Sequence, residues 1–213
     1  MIPQLKTPCF LFLFIISIGL NNSYSQSIED PNVLGEKAYN LSEQGKFFEA
    51  AKLFLKSAQI RLLLTELNYQ FIGADYSWAG FCYEKLGEFE TALKYHREGL
   101  KFAKKVDHQE NIASSLNNIG LIYKEIGQFG KAIKLFEEAL EIDMKLNRKE
   151  KISTRYNNLG SVYYNLGHYE KAYSYYINSI NILEKLEPRH KFGEMLAMTY
   201  NNIGLCNTNI EMS

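Results

Sequence analysis

A repeat of about forty residues is the feature of this sequence that most restricts its fold. Gly80, Gly120 and Gly160 lie forty residues apart. A weaker copy precedes them, and a partial copy begins at Tyr200 and then stops. A chain with such a period builds one small unit several times and stacks the copies, because a single unit cannot bury its apolar face alone. Three further positions recur at the same interval, namely Tyr83, Tyr123 and Tyr163; Gly87, Gly127 and Gly167; and Ala92, Ala132 and Ala172.

Each unit contains two amphipathic segments. In the best-preserved copy, Leu116, Ile119 and Tyr123 follow one another at three- and four-residue steps, the spacing of one helix face. Gly127 interrupts this pattern and suits a helix-ending position with a left-handed backbone. A second apolar-periodic segment opens at Phe129. The connection is only a few residues long, so the two helices are predicted to be antiparallel neighbours.

The unit resembles the tetratricopeptide repeat. That family places an apolar or aromatic residue, a Leu-Gly pair, a tyrosine, an alanine and a second aromatic residue at fixed intervals. In the third unit the matching residues are Leu116, Ile119-Gly120, Tyr123, Ala132 and Phe136. The resemblance implies an all-α fold, a right-handed superhelix (α-solenoid) of antiparallel helix pairs. It places one domain at residues 26–213, with units at about 31–64, 73–106, 113–146 and 153–186 and a partial unit from 197.

Two features depart from the family pattern. His96 stands where the second aromatic residue of its unit belongs. The unit is also longer than the usual length of roughly 34 residues, which predicts longer helices or a longer connection, for example at residues 106–110. Units of this length are similar to those of kinesin light chain and of bacterial sensor and regulator proteins. This resemblance implies a protein or peptide ligand.

Residues 1–25 predict a secretory signal peptide. Lys6 precedes a nearly unbroken apolar run from Cys9 to Leu20, and small residues occupy the two places that determine cleavage. The run is shorter than the ~20 residues that a membrane-spanning helix needs. An uncleaved N-terminal anchor is the alternative. We therefore expect residues 26–213 to be exported to a bacterial periplasm or cell envelope, or to be secreted.

The charge balance excludes some classes of partner. Without Lys6, the 24 basic and 24 acidic residues of the whole chain become 23 and 24. A nearly neutral chain with mixed charges gives no reason to expect nucleic acid or anionic lipid as a partner. No segment after the signal is apolar enough to predict membrane insertion of the mature chain.

No catalytic constellation is recognisable. The sequence holds no phosphate-cradling glycine motif and no nucleophile elbow, so we expect neither an enzyme nor a cofactor. Cys82 and Cys206 lie three units apart and are expected to be free, buried thiols. We predict no metal site, since no metal-ligand spacing links the four histidines, His96, His108, His168 and His190.

An asparagine pair recurs on the first helix of three units. These first helices are expected to line the concave surface of the superhelix, which suits an extended peptide. In several families with this repeat, an Asn just before the Leu-Gly pair forms a ladder along the groove. The matching residues here are Asn118, Asn158 and Asn202, whereas Trp78 takes that place in the second unit. A side-chain amide both donates and accepts, so it can bind a peptide unit without reading its side chain.

The alternative is that the pairs are structural and bridge consecutive hairpins. This role is weakest for Asn202, because the partial unit offers it no complete following hairpin. Asn117 lies about 100° around the helix from Leu116, so it is predicted to lie outside the full core. For Trp78, core filling is the alternative to a role in the groove. Tyr83, Tyr123 and Tyr163 are predicted to be core residues.

Binding would need more than the three rungs of the ladder. A hydrogen bond contributes about 1 kcal/mol net, so further contacts are expected along the groove. The candidates for these contacts are Asn117, Asn157, Trp78, Phe81, Leu121, Lys124, Ser161 and Tyr164.

Two functions fit this sequence. The first is an exported, non-catalytic scaffold that binds a protein or peptide segment in its concave groove. The second is the extracytoplasmic sensory part of a membrane-bound bacterial sensor kinase or regulator, because the fifth unit stops after its first helix. We also expect the open end that this unit leaves to allow self-association.

Overall fold

The computed structural model describes residues 29–64 and 67–212, apart from the side chains of residues 189 and 190. The signal peptide predicted at residues 1–25 lies outside the described residues. Within the described residues the chain forms nine α-helices, one short 3₁₀-helix and no strand. The helices are α1 (Pro31–Glu43), α2 (Phe47–Leu63), α3 (Tyr69–Lys85), α4 (Phe89–Lys105), α5 (Gln109–Glu125), α6 (Phe129–Lys145), α7 (Lys149–Asn165), α8 (Tyr169–Leu183) and α9 (Gly193–Glu211), with the 3₁₀-helix at Arg189–Phe192.

The helices form antiparallel pairs that stack one after another. Helix α1 packs on α2, α3 on α4, α5 on α6 and α7 on α8, and each pair also packs on the next. The first helices α3, α5, α7 and α9 touch in succession, and we call the surface that they form the inner surface. The predicted all-α superhelix is confirmed. Each described helix is too short or too polar to span a bilayer.

The extra length of the unit lies in the helices themselves. Helices α3 to α7 each have 17 residues. The example of a longer connection at residues 106–110 is wrong, because Gln109 and Glu110 already belong to α5. Asp107 and Asn147 follow α4 and α6 with φ angles of 51° and 53°. These two residue types tolerate the left-handed region better than most, so they turn the chain sharply into the next unit.

Gly127 ends the first helix of its unit, as the sequence predicts. Its φ of 73° lies in the left-handed region, which a side chain would strain. The N–H of Gly127 donates to the Lys124 carbonyl at 3.1 Å, and the N–H of Gln128 donates to the Tyr123 carbonyl at 2.8 Å. These two bonds satisfy carbonyls at the helix end and set up the antiparallel return. Equivalent turns occur at Gly45, Gly87 and Gly167.

Within each unit a glycine lies under an aromatic ring. A Cβ added to Gly120 would lie 2.7 Å from Cε1 of Phe136, which is closer than side-chain packing allows. The two helices of the unit therefore cross closely at Gly120, and Ala132 is fully buried. In other units the same contact joins Gly80 to His96 and Gly160 to Tyr176.

The repeated tyrosines are only half-buried, so the prediction that they are core residues is only partly right. Tyr83 and Tyr163 stack on Tyr95 and Tyr175 of the second helix of their own units, each with ring centroids 5.4 Å apart. The hydroxyl of Tyr123 accepts a 2.6 Å hydrogen bond from Arg97 of the preceding unit. The rings pack against the core while the phenol oxygens stay near water, which suits an amphipathic side chain.

Two junctions between units hold buried ion pairs, and the basic and acidic residues exchange places between the two. Arg61 Nε lies 3.0 Å from Asp75 Oδ2 between α2 and α3. Between α6 and α7, at the same two positions of the repeat, Arg155 Nε lies 3.0 Å from Asp143 Oδ2. Burial raises the pKa of Asp75, although its hydrogen bond from Ser57 opposes that shift. The corresponding uncharged residues at the other two junctions are Ala103 with Ser115 and Leu183 with Thr199.

Candidate functional site

A cleft of about 160 Å³ opens on the inner surface between α3 and α5. None of the residues that line it is charged, although charged residues make up 23% of the chain. Gly73, Ala74 and Gly99 contribute little or no side chain to this lining. The other lining residues are Gln70, Ser77, Trp78, Ala103, Asn111, Ser114, Ser115 and Asn118.

Trp78 forms the aromatic part of this lining. Its ring stacks on Phe54 at 5.8 Å and meets Tyr39 and Phe81 edge-on at 5.4 Å and 5.6 Å. These contacts come from the first unit and from α3 itself, and they hold the indole in place. Trp78 nevertheless remains 37% exposed. The residue therefore packs between units on one side and borders the cleft on the other.

The asparagine pairs bridge consecutive units. The side-chain amide of Asn158 donates to the side-chain oxygen of Asn117 at 2.7 Å. Asn202 donates to Asn157 in the same way, at 3.4 Å. Two expectations are thereby corrected. Asn117 is buried, because Asn158 of the next unit covers it. Asn202 has a structural contact after all, since its bridge runs back to the preceding unit rather than forward.

This bridge is missing at the cleft. Ser77 occupies the place that Asn117 and Asn157 take in the later units, and its hydroxyl donates to the carbonyl of Gly73 at 2.9 Å. Asn118 accepts a 3.4 Å bond from its neighbour Asn117. In the described part of the chain, no residue accepts a hydrogen bond from the amide nitrogen of Asn118. Of the three candidate rungs, Asn118 is thus the one whose donor faces an open cleft.

Other candidates from the sequence lie elsewhere on the first helices. Leu121 packs against the core cluster that the third and fourth units share. The ammonium group of Lys124 lies 3.1 Å from the carboxylate of Glu125. The hydroxyl of Tyr164 accepts from Asn209 of α9 at 3.2 Å. The candidates that do not line the cleft are Asn117, Asn157, Asn158, Asn202, Phe81, Leu121, Lys124, Ser161 and Tyr164.

Sequence reasoning missed five polar residues of the cleft, Gln70, Ser77, Asn111, Ser114 and Ser115. One signal was available, because Ser77-Trp78 interrupts the recurring asparagine pair. His108 is half-buried and contacts two of these residues. Its Nδ1 accepts from the backbone N–H of Asn111 at 3.3 Å, and its Nε2 lies 3.3 Å from the side-chain amide of Gln70.

The site offers hydrogen bonds and apolar contact rather than reactive groups. Among the described residues, no three or more His, Cys, Asp or Glu side chains converge as a metal site would require. The predicted free, buried thiols are confirmed at Cys82 and Cys206. Burial raises the pKa of Cys82 to about 11, so this thiol stays protonated and is a poor nucleophile at neutral pH.

Comparison with protein families decides the assignment. Tetratricopeptide repeat profiles match residues 74–145 and residues 153–182. The chain belongs to the tetratricopeptide repeat family. The first matched region includes all of α5 and the part of α3 from residue 74 onward. Tetratricopeptide repeats typically mediate protein binding and generally form non-catalytic scaffolds.

Solved structures share the fold of this tetratricopeptide repeat protein at low sequence identity. BtubC (BKLC) from P. vanneervenii is 21% identical with a TM-score of 0.75, over 88% of this chain and 81% of that one. A protein described as a kinesin light chain of Podosopora anserina, with nearly identical TPR-like repeats, is 19% identical with a TM-score of 0.65, over 86% and 92%.

A third structure is matched over only part of its length. Aspartyl phosphate phosphatase F from Bacillus subtilis is 16% identical with a TM-score of 0.74. The match covers 88% of this chain but 49% of the phosphatase. At these identities the similarity concerns the fold alone. No curated protein matches the sequence.

Proposed function

We propose that this tetratricopeptide repeat protein is an exported, non-catalytic scaffold that binds an extended segment of a partner protein on its inner surface. The observation that carries the proposal is the cleft between α3 and α5. It combines open hydrogen-bonding groups with an immobilised, partly exposed indole, and it contains no reactive group. Binding sites commonly combine apolar walls with a few placed polar groups in this way.

The spacing of the first helices suits an extended chain. Packed helices lie about 8–10 Å apart, and an extended peptide advances about 3.3–3.6 Å per residue. One first helix therefore meets every third residue of a bound segment. Asn118 would donate to a peptide carbonyl, while Trp78 on the neighbouring helix would contact a side chain. Such a segment could be a loop or a terminus of its protein.

Peptide selection tests the binding proposal. Random twelve-residue peptides displayed on phage are selected against the full chain, and enriched sequences are synthesised and measured by fluorescence anisotropy. We expect Trp78→Ala/Asn118→Ala to weaken binding at least tenfold. The control is Lys134→Ala/Glu138→Ala, two exposed positions of α6 away from the inner surface. Failure to enrich any peptide would reject the proposal, provided that circular dichroism shows folded protein.

Export is tested separately. Residues 1–25 are fused to an alkaline phosphatase that is active only outside the bacterial cytoplasm. We expect activity from this fusion and its loss when Ile15→Arg/Ile16→Arg interrupts the apolar run. Equal activity from both fusions, or none from the first, would refute export. Mass spectrometry of the exported product locates the cleavage site and separates a cleaved signal from an uncleaved anchor.

A further inference from the structure

We propose that Ser77 keeps one junction of the inner surface open, and that the cleft so formed selects an uncharged peptide segment with one apolar side chain laid against Trp78. This inference rests on the proposed function, since it assumes that peptide binds on the inner surface. It adds where the segment binds, which chemical class it belongs to, and why the neighbouring junctions do not take it.

The junctions between the first helices differ from one another. Between α5 and α7, and again between α7 and α9, an amide–amide hydrogen bond joins the first helices. Between α3 and α5 the equivalent partner of Asn118 is Ser77, whose side chain is shorter. The cleft lies at this junction. An open cleft thus coincides with the position where the repeat lacks its bridging asparagine.

Two contacts fix the direction of the Ser77 side chain. Its hydroxyl is bound to Gly73 of its own helix. It also lies so close to α4 that a Cβ added to Gly99 would be 2.3 Å from its oxygen. Ser77 therefore points toward the second helix of its own unit. The absence of a side chain at Gly99 is what permits this orientation.

The lining of the cleft restricts the chemistry of its ligand. A charged side chain buried in this uncharged lining would lose its hydration without gaining a partner, which is costly. The cleft holds about 160 Å³, below the roughly 300–1,000 Å³ of pockets for drug-sized ligands. It therefore suits one apolar side chain and its adjoining peptide group. Trp78 supplies the apolar contact, and the amide nitrogen of Asn118 supplies a donor for the peptide carbonyl.

The experiment uses Ser77→Asn, which restores the residue of the other units and should close the cleft with the missing bridge. In the third unit Asn117 occupies this position, with Ala139 at the place that corresponds to Gly99. The backbones of α3 and α4 approach closely here, since a Cβ added to Gly99 would lie 3.0 Å from the carbonyl oxygen of Gly73. The longer side chain must therefore extend toward Asn118, and circular dichroism checks that the variant folds. The matched control is Asn157→Ser, which removes the bridge between α7 and α9. Asn118→Leu is a second variant that leaves position 77 intact.

The probes are the synthetic peptides enriched from the random twelve-residue library, each also made with Glu or Lys in place of its apolar residue. We expect Ser77→Asn and Asn118→Leu each to weaken binding at least tenfold, Asn157→Ser to change it less than twofold, and the charged peptides to bind at least tenfold more weakly. Normal binding to both Ser77→Asn and Asn118→Leu, or tolerance of the charged peptides, would overturn this inference while leaving peptide binding established. A library that yields no binder would overturn the proposed function and this inference together.

Discussion

Asn158 donates a 2.7 Å hydrogen bond to the side-chain oxygen of Asn117, 41 residues earlier in the chain. The bond joins two first helices across a junction between units. It satisfies the oxygen of an amide that is only 7% exposed. Helix-interior asparagines are unfavourable in isolation because they compete with backbone hydrogen bonds. Here a hydrogen bond between units offsets that disadvantage, and an equivalent bond joins Asn202 to Asn157.

Asn158→Ala should destabilise the protein by about 1–3 kcal/mol, because the buried oxygen of Asn117 loses its inter-unit donor. Urea unfolding followed by circular dichroism measures this loss. Asn165→Ala provides the control, since Asn165 is an exposed residue at the end of the same helix. Equal effects of the two substitutions would show that the bridge contributes nothing specific.

Gly120→Ala should destabilise by about 1–3 kcal/mol, because its Cβ would lie 2.7 Å from the ring of Phe136 and overpack the crossing. Gly204 stands at the same position of the fifth unit, yet nothing lies within 4 Å of a Cβ added there. Gly204→Ala should therefore stabilise by about 0.5–1 kcal/mol through helix propensity. Differential scanning calorimetry of both variants tests the contrast. A loss of stability in both would contradict it.

His96 should make stability depend on pH. Burial lowers its pKa from 6.5 to about 4, so between these values the unfolded chain binds a proton that the folded chain excludes. Stability therefore falls as pH drops from 6.5 toward 4 and levels off below, with a total loss of about 3 kcal/mol at most. The carboxylate of Glu84, 3.9 Å from Nε2, is the nearest charged group.

His96→Phe tests this linkage, because Phe54 and Phe136 occupy the same position in the first and third units. Glu84 is present in both proteins, so comparing their stability from pH 7 to pH 4 isolates the contribution of the imidazole. The variant should lose less stability on acidification than the wild type. Parallel pH profiles for the two proteins would contradict the assignment.

Asp143→Leu should destabilise by about 3–5 kcal/mol, because it leaves the guanidinium of Arg155 buried without its partner. Leu183 and Thr199 occupy the same two places at the last junction. The double variant Asp143→Leu/Arg155→Thr should thus lose less stability than Asp143→Leu alone. A double-mutant cycle by chemical denaturation measures the coupling. Additive losses would show that the ion pair makes no specific contribution.

Much of the fold was predictable because it repeats locally. The helix pairs, the left-handed turn at Gly127 and the tight crossing at Gly120 follow from residue types at fixed short intervals. The half-burial of Tyr123 was not predicted, since its environment depends on Arg97 of the preceding unit. Of the candidate site, Trp78 and Asn118 were found from the sequence because they break or continue a visible pattern. Gln70, Asn111 and Ser114 carry no such signal.

The sequence by itself determined the period, the helical hairpin and the small residues that let its helices cross, since these depend on contacts within about forty residues. Only the tertiary structure decided what lies between units. It paired Asp143 with Arg155, turned the asparagine pairs into bridges and left the place beside Ser77 open. These outcomes depend on which faces of consecutive hairpins meet, and helical periodicity within one unit does not specify that.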